Sequence, residues 1–216
     1  MQNEPVVAET VFLLSCWECF EPLGTSFGDQ QVCSRCKVPQ VLRGESYFAI
    51  FQVALRFRQN AEVLESRFYE ASRVLHPDRF SHAEERVRKL SLERMSFLNT
   101  AYEALRHPET LREALLECWG LKADADVQMQ PEIQVLAEEW FEVQSDQALI
   151  APFYDRVKQV ADQIGSEMKT LEESYDRSEE AENFKESQVI LKKLMVQMQL
   201  DRYLRALMQQ CFKKMA

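Results

Sequence analysis

The chain has 216 residues, 46% of them hydrophobic, with five Gly, seven Pro and a formal net charge of -9. That apolar share supports a packed core rather than disorder, and scarce Gly and Pro beside abundant Glu, Leu, Ala, Lys, Arg and Gln point to an all-helical protein. The negative balance argues against nucleic acid or an anionic membrane as the main partner, since both need a positive footprint, and no run approaches the roughly 20 apolar residues of a bilayer span.

The N-terminal stretch MQNEPVVAETVFLLSC has no basic segment, and Val11-Phe12-Leu13-Leu14 is too short for a signal core. Its Glu residues disfavour a transit peptide. The expectation is a cytoplasmic protein, or the mature form of an organellar one. In a reducing compartment the six Cys are metal ligands or core residues rather than disulfides.

Residues 1–44 hold four of those six Cys, with short β-prone runs at Val11-Phe12-Leu13 and Gln30-Gln31-Val32. The segment reads as a loop-rich module with too little apolar mass to fold unaided. Cys16-Trp17-Glu18-Cys19 and Cys33-Ser34-Arg35-Cys36 are two CxxC pairs separated by 13 residues. Each CxxC turn presents two thiolates to one side of a tight loop. Two such turns complete a tetrahedral site with metal–sulfur distances of about 2.3 Å. Ligand type favours one structural zinc ion, which would supply folding energy. An iron centre with the same ligands and a redox pair are the alternatives. A redox CxxC belongs at a strand-to-helix junction, a pattern this chain lacks. Gly24 and Gly28 help the connection turn, and Cys118 and Cys211 fall on apolar helix faces.

Residues 45–118 are helical. Asn60 suits an N-cap, and Ala61, Leu64, Phe68, Ala71 and Leu75 recur at steps of three and four, one helix face. After Ser81 a second stripe follows: Val87, Leu90, Leu98, Ala101 or Tyr102, and Leu105. Two such helices joined by a short loop pack as an antiparallel hairpin. His76-Pro77-Asp78 lies at its tip, exposed because Pro77 stops the first helix. A His–Asp pair can serve general-base chemistry, but no nucleophile or Gly-rich phosphate loop accompanies it. The plainer reading is a turn in which Asp78 or Ser81 caps the next helix. His82 and His107 read as surface residues. Pro108 begins a shorter helix with Leu111, Leu115 and Cys118 as apolar positions, and Gly120 stops it.

Residues 119–130 read as a polar linker, and 131–216 as an antiparallel three-helix bundle. Pro131 stands at a helix N1 position, with Ile133, Leu136, Trp140 and Phe141 or Val143 as the stripe. Pro152 is expected to start a second helix carrying Phe153, Val157, Val160 or Ala161, Ile164, Met168, Leu171 and Tyr175. A third is expected over about 178–212, with Phe184, Ile190 or Leu191, Leu194, Met198, Tyr203, Leu204 and Leu207. No internal repeat is evident.

Tyr47-Phe48, Leu75-His76-Pro77-Asp78-Arg79-Phe80 and Leu98-Asn99-Thr100-Ala101-Tyr102-Glu103-Ala104-Leu105 together resemble the J domain of co-chaperones, over about residues 47–116. With Leu105-Arg106-His107-Pro108 and Arg112-Glu113-Ala114-Leu115-Leu116, the pattern is similar to the HscB-type co-chaperones of iron–sulfur cluster assembly. Some of these carry a tetracysteine zinc module before the J domain. The resemblance implies a non-enzymatic protein whose tripeptide docks on a heat-shock chaperone of the DnaK/HscA type and stimulates its ATP hydrolysis. His76, Pro77 and Asp78 would be the trigger, Arg67 and Arg73 would add electrostatic contacts, and Arg79 would assist. Glu62, Glu65 and Glu70 offset those cations, unlike the basic helix usual in the family, which suggests one dedicated partner.

The resemblance also implies that the bundle binds the iron–sulfur cluster scaffold protein, through Leu136, Ala137, Trp140, Phe141 and Gln144 on its first helix and Val196 on its last. The family usually has a long aliphatic or Met in place of Ala137, Glu where Phe141 or Gln144 falls, and an aromatic where Val196 falls. In physical terms Leu136, Trp140 and Val143 serve the core, while Ala137, Phe141 and Gln144 form a neighbouring stripe; burial of both Trp140 and Phe141 is the alternative. The competing function is a zinc-containing adaptor that does not stimulate a chaperone ATPase.

Overall fold

A computed structural model describes residues 15–122 and 131–215. The run Val11-Phe12-Leu13 and most of the polar stretch before Pro131 lie outside the described residues. The chain divides into two compact units, Met1–Trp119 and Gly120–Ala216. Both are helical, and the described residues hold two isolated β-bridges and no longer strand.

In the first unit α1 spans Phe27–Gln31, α2 Tyr47–Phe51, α3 Ala61–Leu75, α4 Glu85–Arg106 and α5 Pro108–Cys118. The Gln30-Gln31-Val32 run expected to be extended is the end of α1 instead. Ser26 Oγ accepts the Asp29 N–H at 3.2 Å and starts a helical turn, and only Val32 reaches a bridge, with Pro39. α3 starts because Asn60 Oδ1 accepts the N–H groups of Glu62 and Val63 at 3.0 and 3.2 Å. Its buried stripe is Leu64, Ala71 and Leu75, with Phe68 half-buried and stacked on Tyr102 at 4.1 Å. Ala61 is exposed, so the stripe begins one turn later than the spacing suggested.

Against it α4 buries Val87, Leu90, Leu98, Ala101 and Leu105, and also Arg94 and Ser91, which fill the gap between Leu90 and Leu98. Ser91 Oγ donates to the Leu75 carbonyl at 2.7 Å and ties the end of α3 to α4. Arg94 is 2% exposed, with Nη2 donating to Gln31 Oε1 and Nη1 lying 3.7 Å from Glu45 Oε1. Burial pushes its guanidinium below the ordinary value, and Glu45 opposes that shift. Gln31 Nε2 donates in turn to the Ile50 carbonyl at 3.3 Å, so α1, α2 and α4 share one buried polar chain. Gly120, at φ +67°, ends the helical run after α5.

The second unit contains α6 (Pro131–Val143), α7 (Gln147–Glu180) and α8 (Phe184–Met215). Pro152 does not start α7. Asp146 Oδ1 accepts the Ala148 N–H at 3.0 Å and opens the helix at Gln147. Pro152 is carried inside at the cost of one N–H bond, where burial of Ile150 and Phe153 holds the turn. The third helix does not start near 178 either. Ser178 belongs to α7, its Oγ pairing with Ser187 Oγ at 2.7 Å in the interior. The chain reverses through Ala181–Asn183, with Glu182 at φ 53°, and Asn183 accepts the N–H groups that begin α8. α7 and α8 run antiparallel, linked by Gln197 to Glu167 at 3.0 Å and, near their other ends, by Gln147 to the Lys214 carbonyl at 3.1 Å. α6 packs on α7 through Trp140 and Phe153, rings 5.6 Å apart, and through the Arg156–Glu139 ion pair. The result is a mainly α protein with an antiparallel helical bundle as its second unit.

Candidate metal centre and loop site

The four cysteines of the first unit close on one another. Their Sγ atoms all lie within 4.8 Å, with Cys16–Cys36 at 3.6 Å and Cys19–Cys33 at 3.7 Å. Four sulfurs around an ion at about 2.3 Å have edges of about 3.8 Å, whereas a disulfide bond measures about 2.05 Å. The set therefore fits a tetrahedral metal ion.

Local folding explains the convergence. In the first turn Phe20 N–H donates to the Cys16 carbonyl at 3.0 Å and Cys16 N–H to the Glu21 carbonyl at 2.8 Å. In the second, Lys37 bonds Cys33 at 3.0 Å and Cys33 bonds Val38 at 3.0 Å in the same way. Phe20 and Lys37 both take left-handed backbone, φ 59° and 61°. Pro22 and Pro39 then bridge to Ser15 and Val32, the residues just before each leading cysteine. The module is thus a duplicated turn with the pattern CxxCxxP, a short internal repeat where none was expected.

Burial pushes the Cys16 thiol up, but the N–H groups of Cys19 and Glu18 and the Gln40 amide outweigh it and bring the thiol down to about 6. Burial pushes Cys36 up to about 12. Donors already aimed at Cys16 Sγ, including Gln40 Nε2 at 3.5 Å, suit a metal-bound thiolate. Cys211 is buried and Cys118 half-buried, both thiols pushed up by burial.

The His76-Pro77-Asp78 loop is built by a different device. His76, at φ -55° and ψ 131°, leaves the helix, and Pro77–Phe80 forms one 3-10 turn. His76 Nδ1 accepts the Asp78 N–H at 3.3 Å and lies 3.5 Å from Asp78 Oδ2. A neutral ring that accepts at Nδ1 carries its proton on Nε2. Phe80 is buried and anchors the turn, while His76, Asp78 and Arg79 stay exposed and Pro77 half-buried. Neither Asp78 nor Ser81 caps α4; Glu84 holds that place without a side-chain bond.

Of the cations expected beside the loop, Arg73 is exposed. Arg67 is committed within the unit: half-buried, it donates to the carbonyls of Phe51 and Gln52 and lies 5.8 Å from the Phe27 ring centre. Tyr69, 62% exposed, shares a helix face with Arg73 and His76 at i, i+4 and i+7. Apolar periodicity points to its neighbour Phe68 and carries no signal for Tyr69.

On α6, Leu136 and Trp140 are buried, while Phe141 is 75% exposed. Ala137 and Gln144 are half-buried, as is Val196 on α8. Burial of both aromatics is therefore ruled out. His82 and His107 are exposed. No helix among the described residues is long and apolar enough to cross a membrane.

No family model matches the chain. Among curated proteins, the co-chaperone protein HscB homolog of Shewanella halifaxensis is 30% identical over 135 residues, covering 58% of this chain and 78% of that protein. The iron-sulfur cluster co-chaperone protein HscB of Homo sapiens is 25% identical over 186 residues, covering 83% of this chain and 76% of its own length. Among solved structures, human co-chaperone protein HscB superposes with a TM-score of 0.61 at 23% identity, over 93% of this chain and 98% of that one. Chaperone HscB from Vibrio cholerae gives 0.50 at 19% identity, over 77% and 99%. At those identities the structural likeness carries the fold.

Proposed function

The chain belongs to the HscB co-chaperone family, and from that membership we propose that it is a non-enzymatic J-type co-chaperone of iron–sulfur cluster assembly. It stimulates the ATPase of a heat-shock chaperone of the DnaK/HscA type and delivers the cluster scaffold protein to it. The observation that carries this reading is the tripeptide itself, exposed at the tip of a hairpin whose Phe80 and Ser91 contacts hold the loop from below.

In this reading residues 1–44 are the zinc module, 45–118 the J domain, 119–130 a linker and 131–216 the scaffold-binding bundle. His76, Pro77 and Asp78 are the trigger. The His76 Nδ1 contact fixes the ring, so that Nε2–H and the Asp78 carboxylate present a donor and an acceptor side by side. Arg73 and Arg79, with Tyr69 on the same helix, flank them. The scaffold contact falls to Ala137, Phe141, Gln144 and Val196, with Leu136 and Trp140 shaping the helix from beneath. Joining client and trigger in one chain raises their effective concentration, which couples delivery to ATP hydrolysis. Cys16, Cys19, Cys33 and Cys36 hold one zinc ion. With four protein ligands and no open position, its role is structural. Nucleic acid and membrane are not partners. The location is cytoplasmic, or an organellar matrix for a processed form.

The test is Asp78→Asn in a steady-state ATPase assay with the chaperone and scaffold. The variant should fold and bind scaffold as the wild type does, yet lose stimulation. Full stimulation by Asp78→Asn would leave an adaptor with an inert loop.

A further inference from the structure

The two residues between the first pair of cysteines reach α4 directly. Arg86 Nη2 donates to Glu18 Oε2 at 2.6 Å, and the Arg86 guanidinium lies 4.5 Å from the Trp17 ring centre. Trp17 Nε1 in turn donates to the Pro39 carbonyl at 2.8 Å, so the indole is pinned from the second cysteine turn as well. Arg86 is the second residue of α4, the helix whose N-terminus lacks a side-chain cap. It stands just after the loop that carries the tripeptide. Trp17 and Glu18 sit between two of the clustered cysteines, so their backbone is held wherever Cys16 and Cys19 are held.

We propose that Arg86, gripped by Trp17 and Glu18, is a positioning residue for the His76-Pro77-Asp78 loop, and that the metal-bound cysteine module holds the start of α4, and with it the loop, in place. The grip substitutes for the missing N-cap. It acts from outside the helix, through the charge and stem of Arg86 rather than through an N–H acceptor. Metal loss frees the four thiols, releases Trp17 and Glu18 together, and lets the first turn of α4 fray toward the loop. The Arg86 and Glu18 side chains are 59% and 37% exposed, so the ion pair alone is weak, and the cation–π contact adds to it. The expected loosening is therefore severalfold, not a collapse of the unit. This rests on the metal reading of the four cysteines; its functional arm also rests on the co-chaperone reading.

The test is hydrogen–deuterium exchange of the full chain, followed at the amides of 78–88, with bound metal measured in each sample. Glu18→Gln and Arg86→Gln should each keep one metal ion per chain and speed exchange there by roughly fivefold. Arg86→Lys should retain most of the protection. The double variant should be no faster than Arg86→Gln alone, because both single changes break one grip. Chelation of the wild type should loosen the same amides at least as much. With the chaperone added, the single variants should need severalfold more protein for half-maximal stimulation, with the maximum unchanged and Arg86→Lys recovering most of the loss. Unchanged exchange in the single variants, or fully additive effects in the double, would overturn the proposal. A wild type that never stimulates the chaperone would defeat the co-chaperone reading instead, with the exchange data still deciding the grip.

Discussion

Arg94 of α4 and Gln31 of α1, 63 positions apart, meet in the interior of the first unit, Nη2 donating to Oε1. Among the described residues the guanidinium's Nε and Nη1 make no hydrogen bond, and Glu45 forms a looser ion pair with Nη1 at 3.7 Å. A hydrogen bond to a buried charged group contributes ~1.5–3 kcal/mol, and leaving that donor unsatisfied costs about as much. Gln31→Leu should therefore destabilise the unit by about 2 kcal/mol. Arg94→Met, which removes the charge and keeps much of the volume, should cost clearly less. Urea denaturation of the two variants checks the order, and a reversed order would mean that the Arg94 stem matters more than its charge.

The same pair shows why part of the fold was not legible in the sequence. The Asn60 cap, the Pro131 and Pro108 starts and the α3 stripe from Leu64 onward follow from spacing and from local backbone chemistry, and the structure has them at those positions. The position of Arg94 fits the α4 stripe as well as any Leu would, but its charge marks it as a surface residue until a partner from a distant segment is known. Pro152 misled for a related reason. Proline near a helix start is a strong signal, yet Asp146 capped the helix first and the buried residues around Pro152 kept it. At the site, the two CxxC pairs and the tripeptide were legible because their chemistry is local. The grip on Arg86, the commitment of Arg67 and the exposure of Tyr69 were not, since each depends on which helix lies beside it.

Metal removal should act on the first unit alone. Thiols must lose their protons to bind, so affinity falls as pH falls, and acid should release the ion before it unfolds the helices of the second unit. Cys16, held down to about 6, is the thiol best prepared to stay ionised, while Cys36, pushed up to about 12, must release its proton to water as the metal binds. Native mass spectrometry should find one zinc ion per chain, lost with chelator and in Cys19→Ser. Calorimetry of the chelated protein should move one melting transition down and leave the other in place. A metal-free native protein would remove the zinc assignment.

Phe141 and Trp140 are adjacent in sequence and opposite in consequence. Trp140 is buried and stacks on Phe153 at 5.6 Å, so Trp140→Ala should cost about 3–5 kcal/mol of bundle stability. Phe141 is exposed, and Phe141→Ala should leave the melting temperature within about a degree or two of wild type. If the α6 face binds the scaffold, the same change should weaken binding about tenfold or more, as loss of an aromatic anchor does. Titration calorimetry with purified scaffold reads this directly. Unchanged affinity would move the contact off this face.

Tyr69 and Arg73 should separate recognition from attraction at the chaperone surface. Both lie on the α3 face that leads to His76, but Glu62, Glu65 and Glu70 outnumber Arg67 and Arg73 on the same helix and leave it no net positive charge. Long-range attraction is then weak, and contact area must carry more of the affinity. Arg73→Ala should slow association at low salt and lose its effect as ionic strength rises. Tyr69→Ala should instead speed dissociation and raise the concentration for half-maximal ATPase stimulation by about tenfold, nearly independent of salt. Stopped-flow binding at two ionic strengths distinguishes the two. An effect of Tyr69→Ala that vanished at high salt would show that its ring steers rather than anchors, and no effect at all would place the chaperone on the loop alone.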